Sequence, residues 1–152
     1  MVPPKPEAGR FRLSLKIFMG LHCLLYRLTS GRIGGKLSNC SILLLTTVGR
    51  KSGKRRTTPL IYIPTERGYA LAASFAGADR NPAWYVNLDA SHQADIQVLD
   101  QHLHVVAEIV GPERRQLLWQ QLVSSYPPHA EYQTRTTREI PVVELTPFSL
   151  IG

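Results

Sequence analysis

The spacing of apolar residues divides the chain into a helical first part and an extended part that begins near residue 40. Over residues 10–28, apolar side chains return every three or four positions, which predicts an amphipathic helix with a broad apolar side. A glycine-rich turn follows at 29–36. The continuous apolar run at 40–48 then predicts a strand that is buried on both faces.

The remaining strands are predicted in neighbouring antiparallel pairs. One hairpin turn ends at Gly68, a residue free to adopt positive φ, and a second turn lies at Asp100 and Gln101. The predicted strands are 40–48, 56–63, 69–75, 94–99, 103–110 and 140–145. Because they come as hairpins and not as βαβ units, an antiparallel sheet or small barrel is favoured over a Rossmann fold.

Two further helices complete a mainly β, α+β fold of about six strands and about three helices. Residues 83–90 follow Asn81 and Pro82, which predicts a helix that starts with a capping amide and a proline at its first position. The third predicted helix is 112–125. Its inward-facing residues are predicted to be Leu117, Leu118 and Leu122.

Length and composition indicate one globular domain. A chain of 152 residues with 43% apolar and 19% charged residues can bury a core without disulfides or a structural metal. We expect a disordered proline-rich tail at 1–9, the amphipathic helix at 10–28 and the barrel domain at 29–152. Cys23 and Cys40 show no paired spacing, which predicts reduced thiols in a cytoplasmic protein.

Positive charge is concentrated in the first third of the chain. Residues 1–56 carry twelve Lys and Arg against one acid, a net charge of +11, whereas residues 57–152 carry six against ten, a net charge of −4. An anionic partner is therefore expected at the N-terminal third. The helix at 10–28 suits either packing on the domain or peripheral contact with the inner face of the cell membrane. Its uninterrupted apolar run, about a dozen residues, is shorter than the roughly 20 that cross a bilayer.

The segment GRKSGKRR at 49–56 is a tight turn between two predicted strands and carries five cations in seven residues. Its glycines let backbone N–H groups converge on an anion while the side chains supply positive charge, so the turn is a candidate phosphate or carboxylate clamp. It is not a Walker A loop, because Gly49 and Gly53 are one position too close and no Lys-Ser/Thr pair follows. An exposed basic hairpin tip is the alternative interpretation.

The segment SFAGADRNPAWYVNL at 74–88 joins a loop of small residues to the second predicted helix. Such a loop offers free N–H groups to a ligand. Trp84 and Asn87 share one helical face, where a ring can stack and an amide can form hydrogen bonds. Taken alone, this arrangement is more typical of core packing than of ligand binding.

Together and in this order, the two segments resemble the signatures of the deazaflavin-dependent nitroreductase family, the quinone and nitro reductases that use coenzyme F420. The first signature is matched by LLLTTVGRKSGKRRTTPLIYI at 43–63 and the second by the segment at 74–88. A third is matched by YPPHAEYQ at 126–133, which runs into REIPVVEL at 138–145. The resemblance covers about residues 26–147, and its motifs are specific in combination.

The resemblance implies a split β-barrel, related to FMN-binding barrels, with F420 in a groove. By position, the cofactor's phosphate and acidic tail would be held by Arg50, Lys51, Ser52, Arg56, Thr57 and Thr58. The deazaflavin ring and ribityl chain would be lined by Ala72, Ala73, Ser74, Phe75, Ala83, Trp84, Tyr85, Val86 and Asn87. The charge pattern agrees, because a phosphorylated cofactor with a polyglutamate tail is an anion that the basic turn can select.

The chemistry implied by the resemblance is hydride transfer from reduced F420 to a quinone, a nitroaromatic or a similar small planar acceptor. Ser74 is expected to hydrogen-bond near the ring. Tyr126, His129 and Tyr132 are expected to wall the acceptor pocket or to supply a proton. Half-buried packing below a loop is the alternative for the two tyrosines. The chain has Phe75 where many relatives have lysine, and His129 where many have tyrosine.

Two other functions stay open at this point: an FMN-binding split barrel, and a non-enzymatic module that binds anionic lipid or nucleic acid. Residues 29–56 contain no aromatic side chains among their cations, so a nucleic-acid partner is not predicted. The chain has no Gly-x-Ser-x-Gly motif, and His102 and His104 lack a nearby third ligand in the sequence. Neither a hydrolase nor a metal site is therefore predicted.

Overall fold

The computed structural model of the protein describes residues 10–37 and 39–151. The tail predicted at 1–9 lies outside the described residues. The helices in this part of the chain are α1 (Arg10–Thr29), α2 (Ala83–Ser91), α3 (Pro112–Ser125) and α4 (Pro128–Thr134). The strands are β1 (Lys36–Leu37), β2 (Cys40–Val48), β3 (Arg55–Ile61), β4 (Ile63–Pro64), β5 (Tyr69–Ala72), β6 (Gln93–Val98), β7 (Gln101–Ile109) and β8 (Val142–Leu150). A short 3-10 helix spans Phe75–Gly77.

The strands pair in antiparallel fashion throughout, and the sheet curls back on itself. Its order is β1-β2-β6-β7-β8-β5-β4, and β3 pairs with the edge of β2 that faces away from β6. Tyr62 alone separates β3 from β4, so residues 55–64 act as one bent strand that pairs with β2 at one end and with β5 at the other. This closure confirms the predicted antiparallel barrel.

The barrel interior is filled by side chains from alternate positions of the strands. The most deeply buried of these are Leu43, Leu45, Leu71, Val105, Val143 and Leu145. Ile42 and Leu44 belong to a different cluster, in which Cys23 and Tyr26 of α1 cover them. Strand β2 is therefore buried on both faces, as its continuous apolar pattern predicted.

Helix α1 is attached to the barrel through its C-terminal half. The Tyr26 hydroxyl donates to the carbonyl oxygen of Ile42 at 3.0 Å and accepts from the N–H of Leu99 at 2.8 Å. The apolar residues on the other side of the helix are each more than half exposed: Leu13, Ile17, Phe18, Leu21, Leu24 and Leu28. Among the described residues, no helix combines the length and the apolar character needed to cross a bilayer.

A second core lies between α3, α4 and the faces of β5 and β8 that point away from the barrel interior. It is built around Leu118, Leu122, Tyr132, Ile140 and Val142. Leu117 is 49% exposed, so its predicted inward orientation is wrong. It lies about 100° around the helix from its buried neighbour.

Helix α4 is additional to the three predicted helices. Its proline at the first turn suits a helix start, because the N–H missing there has no partner within the helix.

Strands β5 and β8 show the largest differences from the predicted boundaries. Strand β5 ends at Ala72, and the chain then bends through Phe75 and Ala76, whose φ angles of 46° and 50° are positive. Strand β8 begins at Val142 and continues to Leu150, because it pairs with β7 from Leu103 to Ile109 through one register shift. Because β5 ends early, the residues that follow it form a loop, and this loop lines one wall of a surface groove.

Candidate cofactor groove

A groove with a volume of about 810 Å³ brings together the two segments that the sequence singled out. The β2–β3 turn contributes residues 49–52, and β3 extends that wall with residues 56–58. The loop and first turns of α2 contribute several residues between 80 and 87. Helix α1 contributes a further side. The basic turn and the loop before Trp84 therefore face one space.

Backbone hydrogen bonds fold residues 49–54 into a tight turn. The N–H of Gly49 donates to the carbonyl oxygen of Lys54 at 2.8 Å, and the N–H of Gly53 donates to the carbonyl oxygen of Gly49 at 2.8 Å. Gly53 has a φ of +68°, a conformation that favours glycine. The Ser52 hydroxyl accepts from the N–H of Lys54 at 3.2 Å. The basic side chains therefore project from a well-defined backbone.

Asn87 links this turn to α2. Its side-chain oxygen accepts from the N–H of Arg50 at 3.2 Å, and its side-chain nitrogen donates to the hydroxyl of Thr47 at 3.0 Å. Asn87 is buried, and its hydrogen bond with Thr47 is shielded from water. The amide predicted to bind a ligand thus lines the groove and also holds the basic turn against the helix.

Five cations and no carboxylate line the groove within the described ranges. The cations are Lys16, Arg50, Lys51, Arg56 and Arg80. The ion pairs of the described residues all involve other side chains. Arg55, for example, pairs with Asp95 at 2.7 Å, whereas its neighbour Arg56 faces the groove. Successive side chains of β3 point to opposite faces of the strand, so Arg55 reaches the carboxylate of Asp95 and Arg56 faces the groove.

Arg138, which lies just before β8, organises the loop 73–81 on the other wall. Its guanidinium donates at 2.9 Å to the side-chain oxygen of Asn81. At 2.8 to 3.2 Å it also donates to three backbone carbonyl oxygens, those of Ala73, Ser74 and Ala78. Burial lowers the pKa of Arg138, yet a guanidinium stays charged at neutral pH. The sequence did not single out this residue for a site role.

The predicted N-cap of α2 is wrong, because the oxygen of Asn81 is bound by Arg138. The helix begins at Ala83 with Pro82 in the N-cap position and without a side-chain cap.

Along the preceding loop, the guanidinium of Arg80 lies 5.4 Å from the ring centre of Phe75, a cation–π contact. A cation thus lies against the ring of Phe75 at the groove.

Eleven of the fifteen residues predicted to hold the cofactor line the groove. They are Arg50, Lys51, Ser52, Arg56, Thr57, Thr58, Phe75, Ala83, Trp84, Val86 and Asn87. The other four do not line it. Ala72 and Ala73 are buried in the two cores, and the carbonyl oxygen of Ser74 is bound by Arg138. Tyr85 packs against the barrel core, and burial raises the pKa of its hydroxyl.

The structure does not bring Tyr126, His129 and Tyr132 onto the groove. They form an aromatic cluster with ring centres 5.0 to 6.3 Å apart, and the two tyrosine hydroxyls are 3.4 Å apart. Ala76 packs against this second core, whereas Phe75 lines the groove, so the 3-10 helix separates the two. Burial lowers the pKa of His129 to about 4, so the imidazole is neutral at neutral pH.

Sequence reasoning also missed the contribution of α1. Lys16, Met19 and Gly20 line the groove, and one turn later the thiol of Cys23 lies 3.9 Å from the carbonyl oxygen of Thr57. Spacings of three and four residues place these positions on one helix face. That face is less apolar than the exposed one, so the apolar periodicity pointed to the other side of the helix.

Comparison with known proteins identifies the family. The F420H(2)-dependent quinone reductase family model matches residues 19–147, a range that includes the basic turn, the loop before α2 and α4. The chain belongs to this family. The F420H(2)-dependent quinone reductase Rv1261c of Mycobacterium tuberculosis is 39% identical over 130 residues, which cover 83% of this chain and 87% of the relative.

Solved structures agree with the fold. An F420-H2 dependent reductase, FDR-A, is 42% identical with a TM-score of 0.62, and the match covers 69% of this chain and 92% of that chain. A Listeria innocua protein named for pyridoxamine 5'-phosphate oxidase has a TM-score of 0.54 at 8% identity, over 86% of this chain and 96% of that one. At that identity the likeness concerns the fold alone, and it confirms the predicted split β-barrel.

Proposed function

We propose that this chain is an F420H2-dependent oxidoreductase that reduces a quinone by hydride transfer from the deazaflavin. The observation that carries the proposal is the shared groove, in which five cations and no carboxylate of the described residues face one space of about 810 Å³. A phosphorylated cofactor with several carboxylates is the kind of ligand that such a surface selects. Membership in a family of F420H(2)-dependent quinone reductases supports the same cofactor and acceptor.

The groove residues suit the separate parts of the cofactor. We assign the phosphate and acidic tail to the basic turn and the start of β3, namely Arg50, Lys51, Ser52, Arg56, Thr57 and Thr58. We assign the ring to the opposite wall, at Phe75, Ala83, Trp84, Val86 and Asn87. Bound F420H2 supplies the hydride that reduces the acceptor. The protein's own part is to neutralise the anionic tail, orient the ring and exclude water.

The acceptor is proposed to be a quinone, with nitroaromatics as further flat acceptors. Ser74 stays a predicted hydrogen-bond partner of the ring system. Tyr126, His129 and Tyr132 stay predicted acceptor residues, and this role requires the 3-10 helix between them and the groove to move. Burial raises the pKa of Tyr132, so its hydroxyl keeps its proton at neutral pH and can donate a hydrogen bond.

Titration of the purified chain with F420 and, separately, with FMN tests the choice of cofactor. FMN carries one phosphate and no polycarboxylate tail, so it has less negative charge for the five groove cations. We expect micromolar or tighter binding of F420, followed by ligand fluorescence, and FMN binding at least about tenfold weaker. Micromolar binding of FMN without binding of F420 would contradict the proposal and favour an FMN-binding split barrel instead.

We also propose that α1 places the enzyme at an anionic membrane surface. The helix exposes a continuous apolar face, on which Leu13, Ile17, Leu21, Leu24 and Leu28 are 52–74% exposed. Exposed Arg27, Arg32 and Lys36 border its C-terminal end. If two copies packed through this face, their positive charges would repel each other, whereas anionic lipid headgroups complement these charges. A lipid-soluble quinone would be met at the same surface.

Sedimentation with liposomes tests the membrane proposal. We expect the chain to sediment with vesicles that contain anionic lipid, and Ile17→Glu with Leu24→Glu to abolish sedimentation, because both changes put charge into the apolar face. Val106→Glu with Leu117→Glu is the matched control, since both residues are exposed apolar side chains outside α1. Unchanged sedimentation of the α1 variant would show that this face does not contact the bilayer.

A further inference from the structure

The two halves of α1 have different surroundings. In the C-terminal half Tyr26 is buried, ring nitrogen Nε2 of His22 lies 2.7 Å from the carbonyl oxygen of Gly34, and Arg27 donates to the Thr57 hydroxyl at 2.8 Å. In the N-terminal half, every residue from 12 to 21 is exposed or half-buried. The first half of the helix is therefore supported mainly through the second half.

The N-terminal half nevertheless forms one side of the groove. Lys16, Met19 and Gly20 line it together with Arg56 and Thr57 of β3. These β3 residues belong to the part of the groove assigned to the phosphate and acidic tail. The inner face of α1 therefore runs along the most basic part of the groove.

Gly20 has neither a backbone nor a packing requirement for glycine. It does not have a positive φ, and a Cβ added to it would meet no atom within 4 Å. Glycine inside a helix lowers helix stability relative to alanine. Because Gly20 lines the groove, the space left by its missing side chain belongs to the groove. The glycine thus widens the groove on the α1 side.

We propose that the N-terminal half of α1 is a third wall of the cofactor site, where Lys16 binds carboxylates of the acidic tail and Gly20 leaves room for that tail. This inference rests on the proposed function, because it concerns where one part of the same cofactor binds. The turn at 49–56 can neutralise the phosphate. A tail with several carboxylates needs further cations, and Lys16 extends the positive charge to the α1 side.

Binding of the tail then stabilises the docked position of the helix. The first half of α1 has few supports of its own, so its position depends on what fills the groove. A ligand that binds both β3 and α1 favours the docked state, and by linkage the docked helix tightens the ligand to the same extent.

Titration of the full chain with F420, and with the same deazaflavin lacking phosphate and tail, tests the role of Lys16. Lys16→Gln is expected to weaken F420 binding about fivefold, the effect of losing one partly exposed charged contact, and to leave binding of the tail-less compound unchanged. Gly20→Leu is expected to show the same selectivity, because leucine fills the space. Arg12→Gln is the matched control, since it removes the same charge from the same half of the helix outside the groove.

Hydrogen exchange of the backbone amides at 12–21 gives a second readout that needs no variant. F420 is expected to slow exchange in this segment, whereas the tail-less deazaflavin is expected to leave it unchanged.

The inference is overturned if Lys16→Gln and Arg12→Gln weaken F420 binding equally, or if F420 leaves hydrogen exchange of the amides at 12–21 unchanged. Either result would leave the proposed function standing. Failure of the unmodified chain to bind F420 would overturn the proposed function, and this inference with it.

Discussion

Replacement of both Lys51 and Arg56 with alanine is expected to weaken F420 binding about 100-fold and to leave the fold unchanged. Both side chains line the groove and both are exposed, so neither contributes to a core. Each substitution removes a charge-assisted contact to an anionic ligand, and two such contacts account for the expected loss. Fluorescence titration gives the dissociation constants, and circular dichroism checks the fold.

The matched control is Arg32→Ala with Lys36→Ala. It removes the same two charges from exposed positions that do not line the groove. We expect this variant to change the F420 dissociation constant less than about threefold. If the control weakens binding as much as the groove variant does, the cofactor is held by general electrostatic attraction and not by the groove.

Arg138→Met is expected to lower the free energy of unfolding by about 3 kcal/mol and to weaken F420 binding. Methionine keeps an unbranched apolar stem but donates no hydrogen bond, so three loop carbonyls and the Asn81 side chain lose their partner. The loop 73–81, which carries Phe75 and leads into α2, then loses its defined shape. Urea unfolding measures the stability, and titration of the folded variant measures the affinity.

Arg115→Met separates this positioning role from general stability. Arg115 donates to the carbonyl oxygen of Ile140 at 3.0 and 2.8 Å and stacks on Trp119, and it does not line the groove. This variant is expected to lose stability while it keeps the F420 dissociation constant of the unmodified chain. If both arginine variants weaken binding in proportion to their loss of stability, Arg138 acts through the fold as a whole.

The strands were predictable because each carries a local pattern. Strand β2 is apolar at consecutive positions because the barrel interior covers one face and α1 covers the other. Strand β7 alternates, with Leu103, Val105 and Ala107 buried, because only one of its faces is covered. Patterns of this kind require no knowledge of the partner strand.

The errors arose where a distant residue determines the local structure. Asn81 has the chemistry of an N-cap, yet its oxygen is bound by Arg138, which lies 57 residues later in the chain. Leu117 is apolar, but α4 and the sheet cover the helix face that carries Leu118 and Leu122. Neither partner is visible in the sequence around the residue concerned.

The candidate site was predictable as two segments but not as a groove. Charge and the family signatures located the basic turn and the loop before Trp84. The inner face of α1 escaped detection, because Lys16, Met19 and Gly20 share no apolar pattern. The position of the aromatic cluster of Tyr126, His129 and Tyr132 relative to the 3-10 helix depends on where β5 ends. The sequence pattern predicted that this strand continues to residue 75, whereas it ends at Ala72.

A crystal structure of the chain with bound F420 decides whether the groove is the cofactor site. We expect electron density for the phosphate at residues 49–56 and for the deazaflavin ring beside Ala83 and Trp84. A smaller cavity of about 260 Å³ is lined by residues that include Arg27 and His104. Cofactor density in that cavity, or anywhere else outside the groove, would contradict the proposed site.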